Sequence, residues 1–149
     1  MENIKVSGEM KIEIFGPNGE LKDSGTYKNL IVNGGRDFIF AQISGTGTTT
    51  NMQYTGIGTS NTAAGATQTA LLAEVGTRQE HAYAHSAGTT TMTAISTFAA
   101  GNGTGTIQEA GLFTASTSGT MLNRVNGINK VKAAGDSLQI TYTLTIATS

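Results

Sequence analysis

The clearest pattern in the chain lies near its C-terminus. Leu138, Ile140, Tyr142, Leu144 and Ile146 alternate with Gln139, Thr141, Thr143 and Thr145. That period of two is a strand with one face in a core and the other toward water. The same period runs from Glu9 to Phe15, where Met10, Ile12 and Ile14 alternate with Lys11 and Glu13. Gly16-Pro17-Asn18-Gly19 follows, a proline that fixes φ and an Asn-Gly pair that tolerates positive φ. Glu20–Tyr27 then returns as the partner strand of an N-terminal hairpin. Asn29–Asn33 holds an apolar centre, Leu30-Ile31-Val32, and leads into Gly34-Gly35. Arg36–Ser44 is the one helix expected, with Phe38, Ile39, Ala41, Gln42 and Ile43 on its inner face, Phe40 off that stripe, and Asn33 placed to cap its start.

Beyond the helix, Met52–Ile57 reads as a short strand and Leu71-Leu72 as a single helical turn. Val75–His85, Thr89–Phe98, Gly105–Phe113, Met121–Val125 and Ser137–Ala147 read as further strands, each bounded by Gly, Asn or Ser. Two loops, Ser44–Thr50 and Thr59–Gln68, contain no large apolar residue, and their ordering is expected to come from contact with other subunits. Seven or eight short strands with a helix near residues 35–44 predict an all-β, mainly antiparallel domain, a β-sandwich or jelly-roll-like fold. One domain is expected overall, divided into a charged N-terminal hairpin or arm, residues 1–28, and a sandwich body, residues 29–149. The arm is expected to take part in subunit contacts, with the body folding without it.

Composition sharpens this picture. With 149 residues and no cysteine, the chain can bury a core unaided and has neither disulfides nor thiolate ligands. A net charge of −1 gives no basic stripe for nucleic acid. Residues 1–37 hold eleven of the nineteen charged side chains, whereas Phe38–Ala73 and His81–Gln108 have none. Abundant Thr and Ser on outward positions suit a pleated surface better than a disordered chain. No apolar run is long enough to span a membrane, and the start of the chain does not read as a signal peptide.

Few residues are arranged for chemistry. His81 and His85 are four apart, but Glu80 precedes the first histidine, so the order of an HExxH metal motif is absent. On a strand, His81, Tyr83 and His85 instead share one face as a polar-aromatic row. No Gly-x-Ser-x-Gly elbow occurs, and neither Gly45-Thr46-Gly47 nor Gly101-Asn102-Gly103-Thr104-Gly105 has the lysine of a phosphate loop. Glu109 is an isolated charge in the apolar run Ile107–Phe113, expected to be buried against Arg124 or Arg78. We therefore expect no enzyme, no catalytic residue, no cofactor and no metal. The candidate interface residues are Lys11 and Glu13 on the hairpin's outer face, with His81, Tyr83 and His85.

Asn29-Leu30-Ile31-Val32-Asn33-Gly34-Gly35-Arg36-Asp37-Phe38-Ile39 resembles a segment found in small structural proteins of tailed-phage virions. The likeness continues in order through Ile57-Gly58-Thr59, Ala70–Val75, Thr104–Phe113, Gly119–Arg124 and Asp136–Tyr142. The hairpin before Asn29 lies outside it. Glu109-Ala110-Gly111-Leu112-Phe113 is also similar to a motif of tail-collar fibre domains. The resemblance implies a virion structural protein, foremost a capsid decoration or cement protein on the particle surface, made in the host cytoplasm. Its partners would be the major capsid protein and its own copies, as trimers or dimers, with no nucleic acid, membrane or small-molecule substrate. A tail-fibre, collar or baseplate component is the alternative. A carbohydrate-binding adsorption module is a third reading, set against the absence of Trp and the presence of four Tyr.

Overall fold

The computed structural model describes residues 2–47 and 50–148. Thr48 and Thr49, within the expected loop Ser44–Thr50, lie outside the described residues. The elements are β1 (Ile4–Phe15), β2 (Leu21–Lys28), β3 (Leu30–Ile31), α1 (Asn33–Ser44), β4 (Tyr54–Gly58), β5 (Glu74–Glu80) and β6 (Ala82–Ala84). They continue with β7 (Thr91–Phe98), β8 (Gly105–Ile107), β9 (Glu109–Phe113), β10 (Asn123–Arg124), β11 (Lys130–Lys132) and β12 (Ser137–Thr148). The domain is all-β, and every strand pairing is antiparallel.

The first layer is a five-stranded sheet in the order β2-β1-β12-β7-β6. The second is built on β5-β4-β9, and the short β10-β3 ladder joins it through bridges from Ala110 to Val125 and from Phe113 to Met121. The alternation seen in the sequence places Met10, Ile12 and Ile14 of β1 beside Leu138, Ile140 and Tyr142 of β12. These meet Ile57 of β4, Ala110 and Leu112 of β9, and Val125 in one apolar cluster. Each such aliphatic side chain contributes about 1.5–3 kcal/mol by leaving water. Tyr142 keeps its hydroxyl satisfied by accepting the Asn29 Nδ2–H at 3.1 Å, and burial pushes its pKa up to about 12.

The N-terminal hairpin forms as expected. The Gly19 N–H donates to the Gly16 carbonyl at 2.9 Å, and Gly19 takes a φ of 81°. Of the two packing partners open to the hairpin, its own sandwich or a neighbouring subunit, the structure shows the former. β1 lies between β2 and β12 and pairs with β12 from Ile4↔Thr148 to Phe15↔Ser137. β2 is tied to the body by the Tyr27 hydroxyl donating to Ile128 O at 2.8 Å and by ion pairs Lys22–Asp136 and Lys130–Asp23, each 2.9 Å.

Several boundaries differ from the sequence reading. The helix starts at Asn33, not Arg36, and its N-cap is Val32 without a side-chain cap bond. Asn33 is a first-turn residue instead, its N–H donating to Ala66 O at 2.8 Å. Gly35 is required there, because a Cβ would collide with the Leu122 backbone. Phe38 and Ile39 pack on the core, but Ile43, expected inside, stands 77% exposed beside Phe40 at 71%. Val75–His85 breaks at His81, so that β5 belongs to one layer and β6 to the edge of the other. Leu71 and Leu72 form no helical turn. β11 was not expected.

Because β1 is interior to the sheet and supplies three core residues, deletion of residues 1–28 is expected to abolish the cooperative urea transition. A truncated chain that unfolds with an unchanged midpoint would contradict the shared core. Ile12→Ala in the full chain should cost about 2–5 kcal/mol by the same measurement.

Candidate interaction surface

Four groups of polar side chains and an apolar groove sit on this frame, and the first two groups are structural. The first is the pair Glu109–Arg124, both fully buried, with Arg124 Nε 2.8 Å from Glu109 Oε2. Of the two arginines expected to meet Glu109, the structure selects Arg124. Glu109 also accepts the N–H of Ala73 at 2.7 Å and of Leu72 at 3.0 Å. Those bonds hold the Leu71–Ala73 segment in an irregular path and explain why no helical turn forms there. Arg124 Nη1 donates to Thr62 O at 2.7 Å and to Gln68 Oε1 at 3.2 Å. Asn126 Oδ1 accepts the Ala64 N–H at 2.9 Å. The loop Thr59–Gln68 thus has anchors inside its own chain, contrary to the expectation that subunit contacts order it.

Arg78 plays a similar part at the other side of the second layer. It pairs with Glu74 at 2.6 Å, donates to Ala115 O at 2.9 Å and Ser118 O at 2.7 Å, and lies 3.4 Å from the Phe113 ring centroid. That position combines a cation–π contact with closure of the Ala115–Ser118 turn.

The row His81, Tyr83 and His85 is only partly a surface. His81 is buried, and both its ring nitrogens are used. Nε2 is 2.7 Å from Met52 O and Nδ1 is 3.1 Å from the Thr55 hydroxyl. A carbonyl can only accept, so Nε2 carries the proton and the Thr55 hydroxyl donates to Nδ1. The ring packs edge-on against Tyr83, which also donates its hydroxyl to Met52 O. Burial pushes the Tyr83 pKa up to about 12. Tyr83 and His85 are exposed, and the His85 Nδ1–H donates to Thr91 O at 2.9 Å. Among the described residues no three His, Asp or Glu side chains converge as metal ligands. No described helix is long and apolar enough to cross a membrane.

Lys11 and Glu13 lie on the outer face of the first sheet and contact one another at 3.7 Å. That face is otherwise rich in threonine: Thr141, Thr143 and Thr145 of β12 and Thr91, Thr93 and Thr97 of β7. It is even and polar, with Ile95 as an exposed apolar residue between Ala82 and Thr141.

The apolar surface was missed from sequence. A groove enclosing about 890 Å³ lies between α1 and the open ends of β1 and β12. It is lined by Ile39, Phe40 and Ile43 from the helix and by Ile4, Val6 and Ile146 from the strands. Phe40, Ile43 and Ile4 are each at least 70% exposed. An apolar cluster of this kind marks a contact surface more often than scattered single residues do. Phe40 standing off the expected helix stripe was the available signal.

Comparison with protein-family models, with curated proteins and with solved structures finds no match to this chain.

Removing one member of a buried pair strands the other's charge, so Arg124→Met is expected to cost about 3–5 kcal/mol. The Leu72, Ala73 and Ala64 amides should exchange faster in that variant. Unchanged protection there would contradict the anchoring role. A second prediction concerns His81, whose pKa burial lowers from 6.5, against the opposing effects of the Met52 carbonyl and the Glu80 charge. As pH falls through 6.5 the unfolded state takes up a proton first. Stability is therefore full above that value and is lost down to the lower folded-state pKa. His81→Gln should flatten this part of a curve of urea midpoint against pH. An unaltered slope would rule His81 out as its source.

Proposed function

We propose that this chain is a virion structural protein, foremost a capsid decoration protein that stabilises a phage head through subunit contacts. The observation that carries the proposal is the solvent-exposed apolar groove of Phe40, Ile43, Ile4 and Ile146. In a free monomer this surface is unfavourable, and burial against a neighbour removes that cost. The resemblance to virion proteins supports the same reading. Its quoted segments contain β3 and the start of α1, together with both members of the Glu109–Arg124 pair. They carry the buried pair and the start of the helix that borders the groove.

The mechanism is mechanical. A decoration protein works by linking neighbouring shell subunits, which needs a rigid body and at least one adhesive surface. The two-layer core supplies the body and the groove supplies the surface. Lys11, Glu13 and exposed His85 contribute to choice of partner more than to affinity. No bond is made or broken, and no cofactor is required.

The test is addition of the purified protein to undecorated shells. It is expected to bind in numbers comparable with the major capsid protein and to raise the temperature at which shells open. Attachment only to tails would overturn decoration in favour of a tail-fibre, collar or baseplate component.

A further inference from the structure

β2 ends at Lys28, whereas β1 runs on to Ile4 with β12 on one side and, among the described residues, no strand on the other. The Gly8 carbonyl accepts the Asn29 N–H at 3.0 Å. By strand alternation Val6 and Ile4 therefore turn their backbone N–H and C=O groups toward that same side. Among the described residues nothing bonds to those groups there. This open edge borders the groove. The lining also carries Lys5, Lys28 and Arg36 against a single carboxylate, Glu9. None of the three cations is in an ion pair among the described residues.

We infer that the edge and the groove together receive an extended strand of a shell subunit, alternating apolar and acidic side chains, which adds to the first sheet beside β1. Main-chain bonds to Ile4 and Val6 supply the attachment, and the pleat supplies the selectivity. Residues opposite Ile4 and Val6 turn their side chains to the inner side, against Phe40 and Ile43. The residue between them lies on the outer side with Lys5, where a carboxylate is favoured and a second cation is not. Another copy of this chain fits less well. The register that uses Ile4 and Val6 of both copies sets Lys5 opposite Lys5 and brings the same unpaired cations to one seam. The inference deepens the assembly reading and rests on it only for the source of the strand.

The experiment uses the full chain and a capped octapeptide alternating valine and glutamate, with the valine–lysine octapeptide as its counterpart. The glutamate peptide is expected to slow hydrogen exchange at the Ile4 and Val6 amides and to bind about tenfold or more tighter than the lysine peptide. Added salt should weaken it. Val6→Pro deletes one outward N–H while leaving the β12 ladder intact, since proline is tolerated where a strand edge is open. That variant should keep the fold by circular dichroism and lose about tenfold or more in affinity. Phe40→Asp, on the exposed helix face, should lose a similar factor. Equal binding of the two peptides, equal binding by both variants, or no binding at all would overturn the inference. So would self-association that protects the same amides. Shell binding separates the two readings. Variants that decorate shells like the parent protein would sink the groove alone. Peptide binding without any shell binding would sink the assembly reading alone.

Discussion

The Glu109–Arg124 pair is the constraint on which the rest of the second layer depends. Two opposite charges without solvent exposure are costly unless every remaining donor and acceptor finds a partner. Here the partners come from the chain itself. The carboxylate gathers the Leu72 and Ala73 amides, and the guanidinium gathers Thr62 O and the Gln68 side chain. The loop Thr59–Gln68 has no large apolar residue of its own and is shaped by these bonds. Gly58 belongs to the same arrangement, because any side chain there would strike the Glu109 carboxylate. A hydrophobic replacement could fill the volume but could not direct the loop, so the pair acts mainly by specifying a path.

Strand period was legible wherever one face is buried and the other wet. The alternation in β1 and β12 translated directly into the central pairing of the first sheet, and Gly16-Pro17-Asn18-Gly19 into its hairpin turn. Glu109 also announced itself, as a charge alone in an apolar run. Where the sequence misled, burial ran against residue type. In β11, Val131 is exposed and Lys132 is fully buried, its ammonium 3.0 Å from Ala99 O. No apolar alternation could reveal that strand. The break at His81 was equally hidden, since Val75–His85 reads as one run and only tertiary contacts with Met52 and Thr55 divide it. The groove depends on which residues of α1 lack a neighbour, which helix periodicity alone cannot decide.

Dynamics follow the same division. Burial lowers the pKa of the Lys132 ammonium, and the nearby Asp136 charge opposes that shift. Asp136 in turn is held below the ordinary carboxylate range, chiefly by its bond to Lys22. These contacts join the hairpin to the segment before β12, so neither can open alone at low cost. The helix is different. Its buried member is Gly35, and large side chains on its outer half face solvent. Local opening should concentrate in α1 and in the free end of β1, which are the two walls of the groove.

The pairing of Ile4 with Thr148 has a consequence for force. The two outermost described strand ends lie side by side and point out of the same corner of the sheet. Tension applied to both would separate β1 from β12 one hydrogen bond at a time, as a zipper opens. Tension applied across the layers meets the whole sandwich at once, including the continuous crossing from β5 to β6 at His81. This geometry is weak when pulled at Ile4 and Thr148 and strong when sheared across its layers. A load taken through the faces of the two layers runs along the stronger direction, and it leaves the β1–β12 zipper closed.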